Sequence, residues 1–437
     1  MIPQTYKVSD ALTLRVCRTE KFKAGMLSLS AVLPIRRDRV WMTSLLLSVL
    51  RRGTEKYPTL EAINRRLDYL YGTELGIRNF YRGDAQVIGF SAEYPEGAYL
   101  PSREDMTRDV LDVMCQILFH PLLDEDGRLL SRYVESEKQM QCDAIRALKN
   151  NPRSYAIEHA RAVLYENEPC GAAVYGTVEE VEAVTPAALT AHWRELIGNI
   201  RLDCFYVGSL TDTYLCDALA DTVSPYLTNT KGGFSLPMPA TIVRAAATTR
   251  RVEESLEVGQ GQLILGFRTG CALGDDGYYA CMVCNELLGA SPISKLFVNV
   301  REKLSLCYHC SSSYQATKGT VTVQSGLLPV NRARAEEAIL AQIAALADGD
   351  FSDEELIGAK KSILNAYRQL EDSPAALEGF YFGRAVAGVS DSLGDCRERF
   401  LSVTREEVIA AARLFTLDTV YFLDALLVEE DVDDEDD

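Results

Sequence analysis

The sequence predicts an α+β fold of two similar lobes, each a largely antiparallel sheet with helices packed on one face. Three observations predict it. The order strand, strand, helix, helix, strand, strand occurs twice along the 437 residues. Long helical runs and a closing strand follow each occurrence. A stretch rich in Gly and Pro lies between the two, as expected of a connection between compact units.

The first lobe, residues 1–227, opens with period-two strand patterns at 12–18 and 26–34. Helical spacing follows at 39–51 and 60–70, then strand patterns at 74–79 and 86–94. Helical patterns fill 103–119, 127–149 and 152–164. Thr185 followed by Pro186 marks a further helix start, because Pro suits the first helical turn. A strand at 201–207 closes the lobe. Residues 228–249 hold Gly232, Gly233, Pro237 and Pro239, a linker composition, with the Gly pair a candidate hinge. The second lobe, 250–428, repeats the order. Strands are expected at 251–257 and 262–268, helices at 278–288 and 293–303, and strands at 306–314 and 320–326. Helices follow at 331–347, 353–370, 374–387 and 405–415, and a strand at 420–426. Residues 429–437 form an acidic tail, expected to be disordered.

Hydrophobic residues make up 47% of the chain and charged residues 25%, an ordinary globular balance. The formal net charge is −18, and the tail supplies eight of those charges, leaving −10 on the body. An acidic body is the wrong electrostatic partner for nucleic acid or for anionic membrane surfaces. No apolar run reaches the roughly 18–20 residues that span a bilayer. The first ten residues lack a basic-then-apolar leader, so the expected location is cytoplasmic.

Twelve cysteines in such a chain are expected to be thiols. Cys281-x-x-Cys284 and Cys307-x-x-Cys310 have the spacing of a zinc ribbon. A strand over 306–312 would point Cys307 and Cys310 to opposite faces, so convergence on a metal is not expected. On such a strand adjacent His309 would point away from Cys310, and a cysteine enzyme is not expected.

One segment carries a family resemblance. The run from Ser44 through Leu47, Ser48, Gly53 and Thr54 to Pro58 resembles the metal-binding helix of pitrilysin/insulinase-type zinc peptidases. In that family the helix carries H-x-x-E-H and runs on into Gly-Thr. Aligning Gly53-Thr54 places the first His at Ser44, the general-base Glu at Leu47 and the second His at Ser48. The segment 137–145 resembles the family's third-ligand helix, with the ligand position at Ala144 and Asp143 beside it. Two hydroxyls, an isobutyl group and a methyl group do not make a zinc site. His120, His159, His192 and His309 form no H-x-x-E-H; His192-x-x-Glu195 is the nearest echo.

The resemblance extends to Tyr175–Val181 and to the run from Arg301 through Leu304 and Cys307 to Tyr308, which match a family Arg/Tyr pair seven residues apart. It implies that Arg301 and Tyr308 hold substrate and stabilise an oxyanion. Arg offers a fixed fork of donors and Tyr a single O–H. The chain is then expected to be inactive alone, with no cofactor of its own. It would be the non-catalytic subunit of a heterodimeric metallopeptidase whose partner carries H-x-x-E-H and zinc, acting on peptides or small proteins. A structural scaffold or peptide-binding module without proteolysis is the alternative. Peptide is expected to add to a sheet edge near 86–94. Arg51–Thr54 and Asn150–Ala156 further resemble the zinc-less member of a bacterial pair linked to modification of elongation factor P.

Overall fold

The computed structural model describes residues 2–101, 105–245 and 247–426, so the expected acidic tail at 429–437 lies outside the described residues. Two compact units emerge. The first comprises residues up to Arg146, Asn167–Thr241 and Ala366–Arg397; the second comprises Ala147–Glu166, Ile242–Asn365 and the chain from Glu398 on.

In the first unit, β1 (Gln4–Ser9), β2 (Leu12–Arg18), β3 (Ala24–Pro34), β4 (Glu74–Arg82), β5 (Ala85–Pro95) and β6 (Leu202–Gly208) form one sheet ordered β1-β2-β6-β3-β5-β4. All neighbours run antiparallel except β2 and β6. Apolar residues of these strands and of the helices Val40–Leu50, Met106–Phe119 and Pro186–Gly198 share one core. Gly89 takes φ +137°, and a Cβ there would lie 2.1 Å from the Leu29 carbonyl oxygen, so only glycine lets β5 run against β3. The edges are β1 and β4. The expected edge at 86–94 is corrected: β5 is interior, hydrogen-bonded to β3 and β4.

The second unit carries β7 (Arg250–Leu256), β8 (Gly261–Arg268), β9 (His309–Gln315), β10 (Thr320–Leu327) and β11 (Thr416–Ala425), ordered β7-β11-β8-β10-β9. Only β7 and β11 pair in parallel. The α+β architecture is as expected, but the units do not follow the sequential halves. The Pro152–Leu164 helix packs on β8 and β11 of the second unit, and the Pro374–Ala387 helix packs on β3 and β6 of the first.

A polar anchor holds that second helix. Glu378 receives two bonds from Arg78 of β4, at 2.9 and 3.0 Å, and one from Ser28 Oγ of β3 at 2.7 Å. The pair is almost fully buried, a setting where a charge needs its partner. The described residues of 228–249 form no helix or strand. Much of the segment is nevertheless docked on the first unit. Lys231, Met238 and Thr241 donate main-chain bonds to Gly198, Val386 and Asp84, and a Cβ on Gly233 would lie 2.4 Å from the Asn199 oxygen. Close approach, rather than hinge freedom, accounts for Gly233.

Candidate functional site

The Val40–Leu50 helix is apolar nearly all round, and nine of its eleven residues are buried. Such a helix belongs inside a core. Leu45, Leu46, Leu47 and Leu50 are fully buried. The position that the resemblance gives to a general base is therefore core packing. Ser44 Oγ donates to the Val174 carbonyl at 2.6 Å and accepts from Asn79 Nδ2 at 2.7 Å. Ser48 Oγ donates back to the Ser44 carbonyl at 3.4 Å, the local bonding expected of a helical serine. Gly53 and Thr54 shape the turn that follows the helix. A Cβ on Gly53 would lie 2.5 Å from the Pro58 oxygen, and Thr54 bonds Tyr57 through both its N–H and its Oγ1.

From the Ser131–Ala147 helix, the side chains that reach this region are Glu137, ion-paired with Arg52, and Gln141. Gln141 Nε2 donates to the Tyr175 carbonyl at 2.8 Å and to that of Trp41 at 3.4 Å. Ala144 and Asp143 are exposed, and Asp143 accepts from Gln139 and Arg146 of its own helix. Sequence reasoning missed the Arg52–Glu137 pair and Gln141. The donor set does not fit zinc, because Ser44 is committed to carbonyl and amide partners, Leu47 is apolar and Ala144 has no donor. Elsewhere, Asp84, Glu168 and Cys170 are the one group of three potential ligands found within 4.8 Å among the described residues. Asp84 already accepts the Thr241 N–H at 2.8 Å, and none of the three belongs to the positions named by resemblance.

Arg301 lies in a π-helical segment, Leu296–Lys303, marked by the Leu304 N–H bonding Asn299 at 3.1 Å. Such segments recur at functional sites. Its guanidinium sits 4.7 Å over the Phe297 ring and 3.5 Å from Glu302. Ser305 then takes φ +51°, an uncommon conformation for a residue with a Cβ, and turns the chain toward the sheet. Tyr308 follows. Its N–H bonds the Gly326 carbonyl at 2.8 Å, while its ring is 56% exposed and its hydroxyl has no partner among the described residues. Both side chains of the pair thus face solvent on the second unit.

The strand expected from Leu306 begins only at His309. That start leaves Cys307 outside the strand, so alternation does not set its direction, and the Cys310 thiol is near enough to bear on its titration. The neighbouring Cys310 brings the Cys307 thiol down to about 7, aided by Ser325 and Arg301 against the opposing effect of burial. Cys307 and burial raise the Cys310 thiol. Cys271 and burial push the Cys281 thiol up, and Cys284 is buried in the core, its thiol pushed up to about 12. Among the described residues, the cysteines with zinc-ribbon spacing form no group of three potential ligands. No helix among the described residues is long and apolar enough to cross a membrane.

Residues 183–363 match the family described as peptidase M16 inactive domain. The chain is 30% identical over 412 residues, 94% of its length and 95% of the relative's, to a probable inactive metalloprotease, YmfF, of Bacillus subtilis (strain 168). It is 23% identical over 374 residues to an uncharacterized zinc protease, YmxG, of the same organism, covering 83% of this chain and 87% of that one. A crystal structure of a conserved protein from Enterococcus faecalis V583 superposes with a TM-score of 0.89 at 23% identity, over 98% of this chain and 100% of that one. The peptidase M16 inactive domain from Pseudomonas fluorescens gives 0.80 at 17% identity, over 98% and 99%. These two structures share the fold.

Proposed function

Because the chain belongs to the M16, pitrilysin/insulinase-type, peptidase family as an inactive member, we propose that it is the non-catalytic subunit of a heterodimeric zinc metallopeptidase. A partner chain with H-x-x-E-H supplies the metal and the general base. This chain supplies Arg301 and Tyr308 to a peptide or small-protein substrate. One observation carries the reading: the donors of Arg301 and Tyr308 are offered to solvent, the Tyr308 hydroxyl without a partner among the described residues, while the chain's own metal positions are filled by packing and internal hydrogen bonds. An exposed Arg/Tyr pair is suited to a carbonyl oxygen that gains negative charge during hydrolysis. We place the complex in the cytoplasm, a reducing compartment where twelve cysteines stay thiols.

The test is reconstitution. The purified chain alone should cleave nothing; mixed with its metal-bearing partner, activity should appear. Arg301→Ala or Tyr308→Phe should then lower kcat/KM by about 10²-fold, the usual loss for one oxyanion donor. A partner fully active by itself would sink the shared site. Activity that needs the chain but ignores both substitutions would favour a scaffold.

A further inference from the structure

The second unit holds a cavity of about 330 Å³ that no family position explains. Its wall is formed by Asn151 and Arg153 at the start of the Pro152–Leu164 helix, Gln260 and Gln262 at the start of β8, and His309 at the start of β9. None of its lining residues is acidic, in a chain of net charge −18. Arg153 is exposed at the mouth, and its Nε donates to Gln324 Oε1 at 3.2 Å, leaving the two terminal nitrogens for another partner. The positive end of a 13-residue helix adds to the same potential.

Two buried polar atoms point to a missing partner. Gln262 is 3% exposed, and its Oε1 has no hydrogen bond. His309 Nε2 is also buried without one. Buried polar atoms are paired as a rule, and an orphan costs free energy until something bonds it. Gly326 makes the room: a Cβ there would fall 2.4 Å from His309 Cε1 and 2.7 Å from Gln260 Oε1. Burial and the nearby Arg153 and Arg301 charges lower the His309 pKa, so the ring is neutral and can present one N–H.

We propose that this cavity is a subsite for a peptide carboxylate, held by the Arg153 guanidinium and the His309 Nε2–H, while the Gln262 carbonyl oxygen accepts a main-chain N–H of the same peptide. A ligand with an anion and an amide donor side by side fits these groups better than an anion without a donor, such as sulfate, which has nothing to give Gln262. The inference rests on reading Arg301 and Tyr308 as peptide-facing, since Tyr308 immediately precedes His309 in the chain. The carboxylate comes from an acidic side chain or from the peptide's C-terminus.

Fluorescence anisotropy on the full chain at low ionic strength separates the two sources. Three labelled peptides of otherwise identical uncharged sequence are compared: an internal Glu with an amidated end, an internal Gln with a free terminal carboxylate, and an internal Gln with an amidated end. One carboxylate peptide should bind about tenfold tighter than the peptide with none. Arg153→Gln, an exposed and structurally mild change, should abolish that preference. Preference for the Glu peptide assigns the subsite to a side chain; preference for the free end assigns it to a C-terminus. Equal affinities, no binding of either carboxylate peptide at millimolar concentration, or a preference that survives Arg153→Gln overturns the proposal. Because no partner is present, the outcome is independent of the reconstitution. Carboxylate preference without partner-dependent cleavage keeps the subsite and removes the shared-site function; the reverse result removes only the subsite.

Discussion

Leu47→Glu places the family's general base at its aligned position and meets the packing described above. Leu47 is fully buried among other core residues. Removing its side chain from the core forfeits about 2 kcal/mol of burial. The new carboxyl must then stay protonated or drag a charge inside. Buried Glu residues reach pKa values of about 8, so at pH 7 neutralising one from its usual value of about 4.3 costs roughly 3–4 kcal/mol. The total is about 5–6 kcal/mol. The chain's two tryptophans, Trp41 and Trp193, both lie in the core of the first unit, so urea unfolding followed by tryptophan fluorescence reports on that unit. With a slope of roughly 2–3 kcal/mol per molar, the midpoint should fall by about 2 M. Leu47→Met, which conserves volume, should cost less than about 1.5 kcal/mol. If Leu47→Glu unfolds at the same urea concentration as Leu47→Met, the helix face is open and Leu47 is not core packing. Stoichiometric zinc in a folded Ser44→His, Leu47→Glu, Ser48→His protein would refute it equally.

Two further outcomes are expected. Glu378→Ala strands the buried Arg78 guanidinium and should destabilise the first unit by about 3–5 kcal/mol in the same fluorescence titration; an unchanged midpoint would mean that the Pro374–Ala387 helix contributes nothing to that unit. Alkylation of Cys307, followed by mass spectrometry, should rise with pH to half its maximum near pH 7, since the reactive thiolate forms above the pKa and is lost below it. Cys310→Ala removes the neighbouring thiol and should move the profile upward; a wild-type profile already centred near about 8.5, the value of an ordinary thiol, would contradict the influence of Cys310.

Much of the fold is legible in the sequence because its signals are local. The helix expected over 374–387 is found at Pro374–Ala387, where Ser373 caps the first turn and Gly388 turns left-handed after the last. The helix expected over 39–51 ends within one residue at each side. Other elements escape local pattern. Strand β1 has no fully buried residue, so its alternation carries little hydrophobic signal. The helices Asp212–Thr222 and Leu393–Ser402 are absent from the sequence expectation. Which unit a helix joins is not a local property: Pro152–Leu164 and Pro374–Ala387 are periodic segments whose destinations are set by tertiary packing. At the candidate site, the unsuitability of Ser44, Leu47 and Ser48 for zinc follows from side-chain chemistry alone. The lowered Cys307 thiol does not, since it depends on a strand that starts three residues later than its β-rich sequence suggests.

The traded helices impose a schedule on synthesis. A ribosome works from the amino terminus, yet the first sheet lacks the carboxylate that neutralises Arg78 until residue 378 has emerged. By then most of the other sheet has been made. Neither half of the gene product is a self-sufficient folding unit, so cutting the coding sequence near residue 240 would yield two incomplete fragments, each missing a helix that the other carries.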